Sequence, residues 1–164
     1  MPTTAWLESL EASGLGLLVR ESTWGFQILV AIHLIGVMTS AGMVVWFDLR
    51  LLGLAMTDVA VSRVYRRLMP LVFVGFAVVF TSGAILAVGY ATAAYPNTFF
   101  RLKMIALALA GINALVYHRV TERTAVSWDD EARPPWPARA AGVISLVLWT
   151  AIVLLGRGMS YTMF

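Results

Sequence analysis

An all-α fold, a four-helix transmembrane up-down bundle preceded by a short interfacial helix, is predicted by three features of this 164-residue chain. Hydrophobic residues make up 60% and charged residues 13%, about half the charged share of an ordinary soluble domain. Four apolar runs each approach or exceed the ~20 residues that a helix needs to cross the hydrocarbon core. The connections between them are short, which favours antiparallel neighbours. One domain over residues 1–164 uses the whole length, so any chemistry belongs inside the bundle or at its two mouths.

The elements follow in order. At about residues 4–20, Trp6, Leu7 and Leu10 recur at helical spacing beside Glu8 and Glu11, the pattern of an amphipathic helix lying in the membrane interface. This segment lacks the basic start, apolar centre and small-residue cleavage site of a signal peptide, so it is expected to stay on the mature protein. The first span, about 22–47, contains no charged residue. The second, about 69–90, is opened by Pro70 close to its first turn, where a missing N–H does least harm. The third, about 100–118, is entered through Arg101 and Lys103. The fourth, about 138–156, follows the rigid Pro134-Pro135-Trp136-Pro137 segment.

Charge sets the expected orientation. The first connection carries Arg50, Arg63, Arg66 and Arg67, and the third carries Arg119, Arg123, Arg133 and Arg139. The opposite side has Arg20, Arg101, Lys103 and Arg157, so the tendency of basic loops to stay in the cytoplasm predicts a multi-pass protein of the bacterial inner membrane with both termini outside. Trp24, Tyr90, Tyr95 and Tyr161 would then belt the outer surface, and Trp46, Trp128 and Trp136 the inner one. A net charge of +3 could suggest nucleic acid in a soluble chain, but here the arginines flank apolar runs and suit lipid headgroups; no nucleic-acid partner is expected.

The absence of cysteine excludes disulfides, thiolate metal sites and cysteine nucleophiles. No glycine-rich phosphate loop, HExxH, serine elbow or paired buried carboxylates occur, which leaves hydrolase and nucleotide-using chemistry without residues. The eight methionines follow no ordered spacing, so copper transport lacks a ligand set.

His33 is the leading candidate site residue, because an imidazole at that depth must face protein, a cofactor or a wet cavity. It shares a helical face with Gly36 and Ser40, whose small-xxx-small step permits close helix approach. Lys103, Ala106, Ala110, Asn113 and Tyr117 form a comparable stripe on the third span. Both faces are expected to look inward, with His33, Thr81, Ser82 and Trp149 in one layer of the outer half. The functional reading makes His33 the axial ligand of b-type haem, with Arg101, Lys103 and Arg157 pairing with its propionates. Electrons would pass to quinone or a periplasmic carrier. The alternative is a noncatalytic membrane subunit, or a small-molecule binding or transport module. There His33 would bond Ser40, Thr81 or a nearby carbonyl as part of a structural layer, and the chain would associate with a membrane-protein partner or a second copy.

His118 is not the expected mate of His33, since it lies ~13 Å deeper and off the polar stripe. Asn113 reads as interhelical glue. Asp48 and Arg50 read as solvated or locally paired, and Asp129, Asp130 and Glu131 as a solvated acidic loop.

The strings RESTW (20–24), HLIG (33–36), DLRLLG (48–53), FRLKM (100–104), AGINALVYH (110–118) and WTAIVLLGRGMSY (149–161) resemble an uncharacterised bacterial family of four-helix membrane proteins. A first-helix histidine followed by a Lys-Leu/Met motif opening another helix is more distantly similar to the bacterial membrane protoporphyrinogen oxidase, a haem-associated family, and to copper-resistance membrane proteins. By that resemblance His33 and Lys103 match the family's histidine and lysine, and Asn113 stands where its pattern has a further histidine.

Overall fold

A computed structural model describes residues 4–121 and 127–163 of the chain. Helices α1 (Ala5–Glu11) and α2 (Gly14–Glu21) lead into α3 (Gly25–Leu52), α4 (Val61–Gly89), the single turn α5 (Ala91–Ala94), α6 (Thr98–Val116) and α7 (Trp136–Met163). A π-helical stretch, Tyr117–Thr121, continues α6. Helices α3, α4, α6 with its extension, and α7 are each long and apolar enough to cross a membrane. Their outward side chains, such as Ile35, Met38, Phe73 and Phe80, are exposed along the spans, where a bilayer is the natural solvent.

Small residues decide which helices touch. A Cβ on Gly75 would lie 2.7 Å from the Ser40 amide nitrogen, and one on Gly36 would lie 3.2 Å from the Gly75 carbonyl, so α3 and α4 meet almost backbone to backbone. The Gly36/Ser40 step therefore acts as expected, with Gly75 as its counterpart. On α6, Ala106 and Ala110 pack with Ile152 of α7. Gly142 of α7 sits over Leu51 and the Asp48 carbonyl, joining the two pairs through α3 and α7. The two inward faces thus have different partners: the His33 face meets α4, and the Lys103 face meets α7.

Several helices extend beyond the predicted spans. α4 starts at Val61 and runs through Pro70, because hydropathy marks the hydrocarbon layer while the helix continues past it with Arg63, Arg66 and Arg67 exposed. The interfacial segment is two helices, broken where the Ser13 hydroxyl accepts from the Gly16 amide and starts a new N-terminus. Glu11 then clasps α5 from α1, accepting 2.8 and 2.7 Å bonds from the Thr92 amide and hydroxyl, and pairs with Arg20 at 3.1 Å.

At the opposite end the described parts of the connections pack into a cap. α3 stops at Gly53, whose φ of 71° and close approach to the Ala132 carbonyl both require glycine. Asp129 is not solvated as expected: its carboxylate accepts from the Ser62 amide at 2.7 Å and the Ser62 hydroxyl at 2.6 Å, and its carbonyl accepts from the Val61 amide at 3.0 Å. It caps α4 from a distant loop. Trp128, expected in the interfacial belt, is only 5% exposed and packs with Phe47, Val61 and Tyr117. Arg123 lies outside the described residues.

Candidate functional site

His33 lies about 12 Å below the start of α3, and Ser82 about 10 Å below the end of α4, at ~1.5 Å of rise per residue. Antiparallel packing puts them side by side, with His33 Nδ1 2.9 Å from Ser82 Oγ. The Ser82 hydroxyl donates its one proton to the Val78 carbonyl at 2.5 Å, which leaves its oxygen free to accept from Nδ1–H of His33. In the Nδ1–H tautomer the other ring nitrogen, Nε2, carries the lone pair. Gly83 makes room for the ring, since a Cβ there would stand 3.1 Å from His33 Cε1. Of the expected layer, Ser82 is thus the residue that meets the imidazole. Thr81 points outward, and Ser40 donates to the Gly36 carbonyl of its own helix at 2.8 Å.

Lys103 is the second member of the site. It is half-buried on α6, its amine end lying against Gly156 of α7, where a Cβ would come within 3.4 Å of Nζ. Glycine at 156 opens the groove that the lysine stem occupies. Among the described residues, Lys103 Nζ makes no hydrogen bond there.

Arg101 and Arg157 stand higher, at the rim. The Arg101 guanidinium lies 5.4 Å from the Tyr95 ring centroid and donates through Nε to the Tyr95 carbonyl at 3.0 Å. Arg157 lies 4.8 Å from the Tyr161 ring centroid and donates to its hydroxyl at 3.0 Å. Such stacking fixes a guanidinium in place while leaving other N–H groups available. Asn113 is about 15 Å further along α6 than Lys103, and its amide donates to the Ala141 carbonyl of α7 at 3.0 Å. Asn113→Leu is expected to lower stability by about 0.6–2 kcal/mol, read as an earlier unfolding midpoint in detergent micelles, with the His33 layer unchanged.

Trp149 sits deeper than expected. α7 continues to Met163, which places Trp149 about 21 Å from that end, where it stacks on Phe76 at 5.4 Å and 19°. This aromatic pair lies on the midplane side of the His33 layer.

Sequence reasoning missed a second polar pair near the other mouth. Asp48 and Arg50 are buried, 3% and 0% exposed, and neither solvated nor paired with each other. Arg50 donates through Nε to the Val59 carbonyl at 2.7 Å and through Nη2 to the Glu131 carbonyl at 3.0 Å. Asp48 approaches Ser145 of α7, and its Oδ2 has no hydrogen-bond partner. Their alternation in DLRLLG is the only signal the sequence carries for this, since two residues on a helix point to different sides.

Among the described residues, no three of His, Cys, Asp and Glu gather as a metal site. No curated protein and no solved structure matches the chain. A family model does match, over residues 6–162, and by it the chain belongs to a family of unknown function, DUF6644.

Proposed function

We propose that this protein is a haem-binding module of the bacterial inner membrane, with His33 Nε2 as axial ligand and the α1/α2 end facing the periplasm. The observation that carries the proposal is the His33–Ser82 bond. Ligating histidines are oriented through their second ring N–H, and Ser82 does this here while directing the lone pair to Nε2. Lys103, held over Gly156, would supply a cation for a carboxylate such as a propionate, and Arg157 a second at the rim. The resemblance of His33 and Lys103 to the protoporphyrinogen oxidase pattern points the same way. Bound there, haem would supply one-electron exchange with a quinone in the bilayer or a periplasmic carrier. The chain's own residues would orient the ligand nitrogen and balance anionic groups. The excess of arginine on the Arg50 side supports the orientation.

A second reading rests on the fact that both the His33–Ser82 and Asn113–Ala141 bonds run between helices. The polar residues then tie together a noncatalytic subunit or small-molecule carrier that works with a membrane-protein partner or another copy. The two readings separate spectroscopically. Protein purified after expression with ample haem is expected to show a Soret band and a reduced-minus-oxidised difference spectrum. His33→Ala should abolish both, and Ser82→Ala should lower haem affinity by about tenfold. Wild-type protein without a Soret band would refute the haem reading. The second reading predicts instead that His33→Ala shifts the unfolding midpoint and leaves no chromophore to lose.

A further inference from the structure

At the α1/α2 end, an apolar groove of about 170 Å³ runs beneath α1, lined among others by Trp6, Leu10, Ala87, Ala91, Tyr95 and Phe100. It is held open by specific contacts. Glu11 fastens α1 to Thr92, and Trp6 meets Tyr95 edge to face at 5.8 Å. The alanines on α4 and α5 leave a floor without bulk. Pockets for drug-sized ligands run to about 300–1,000 Å³, so this space suits a narrow chain better than a ring system. Arg101 stands at the rim, its Nε and ring face tied to Tyr95, a groove residue, while its terminal nitrogens project from an exposed side chain. An apolar slot with a positioned guanidinium at its edge complements an amphiphile with one acyl chain and an anionic head.

We propose that the groove beneath α1 holds part of an acyl chain of an anionic phospholipid whose phosphate sits on Arg101. The chain fills the space between α1 and the ends of α4 and α6, and the phosphate takes the Arg101 N–H groups that Tyr95 does not use. α1 thereby becomes a lipid-dependent roof, with the Glu11–Thr92 clasp as its hinge-side anchor.

Native mass spectrometry of the full chain in detergent, mixed with phosphatidylglycerol or with phosphatidylcholine of identical chains, tests this. Wild type is expected to retain one phosphatidylglycerol, preferred about fivefold over phosphatidylcholine, the effect of one basic residue near a membrane surface. Arg101→Gln, at an exposed position that does not endanger folding, should erase the preference and keep weak retention of both lipids. Ala87→Leu should weaken retention of both by filling the slot, and inorganic phosphate should not compete. Equal retention of the two lipids by wild type, an undiminished preference in Arg101→Gln, or displacement by inorganic phosphate alone would each overturn the proposal.

Discussion

Gly75→Ala is expected to destabilise the bundle by about 1–3 kcal/mol, and Gly75→Leu to prevent a folded product, because the first added carbon has nowhere to go. The nearest atoms to a Cβ at Gly75 are the Ser40 amide nitrogen at 2.7 Å and Ser40 Cβ at 2.9 Å. Both belong to or adjoin the α3 backbone, so relief requires moving a whole helix rather than turning a side chain. That movement would also pull Ser82 away from His33, since both contacts lie on the same α3–α4 seam. In a membrane, packing at close range replaces much of the hydrophobic driving force between helices, which makes such a seam unusually sensitive. Gly111→Ala is the matched control: nothing lies within 4 Å of its Cβ, and helix propensity alone should raise stability by up to about 1 kcal/mol. Unfolding midpoints in micelles measure both. Equal shifts for the two alanine variants would mean that α3 and α4 are not in tight contact.

The four spans are legible in the sequence because long runs without charge admit few alternatives to a membrane, and the Gly36/Ser40 step marks a close helix contact. Helix ends are less legible. Hydropathy follows where lipid begins, whereas Val61–Leu68 stays helical because Asp129 caps it from a loop more than sixty residues away. Within the site, depth counting brings His33 and Ser82 together, since one residue sits a fixed rise below each helix end. The same counting misplaces Trp149, because α7 continues several residues past the predicted end of its span. Lys103 is legible as a cation near the mouth, but not its passage over Gly156 of α7, which depends on which helices pair. Arg50 and Asp129 look like surface charges in the sequence for a shared reason. Their partners include backbone groups, and every residue type carries those, so no pattern of side chains announces them.

Arg50→Met should cost about 3–5 kcal/mol, more than Gly75→Ala, with loss concentrated at the end opposite α1. Methionine keeps much of the stem volume and removes the donors. Each hydrogen bond from a charged group is worth about 1.5–3 kcal/mol, and Arg50 makes one to the Val59 carbonyl and one to the Glu131 carbonyl. Without them both carbonyls lose a donor, and the connection after α3 loses its tie to the loop before α7. Arg50→Lys should recover little, because a single ammonium cannot reproduce a planar fork reaching two loops. Local opening should follow, seen as faster amide exchange at Val61 and Ser62, whose caps come from the loop Arg50 holds. Asp48 offers the sharper comparison, being equally buried and only two residues away. Its Oδ2 has no partner and it forms no ion pair with Arg50, so Asp48→Asn should change stability by less than about 1 kcal/mol. The double variant should then equal the sum of the single ones within about 0.5 kcal/mol. A coupling well above that would show the two charges acting as a pair, and Asp48 rather than the loop carbonyls would then be the partner that holds Arg50 in place.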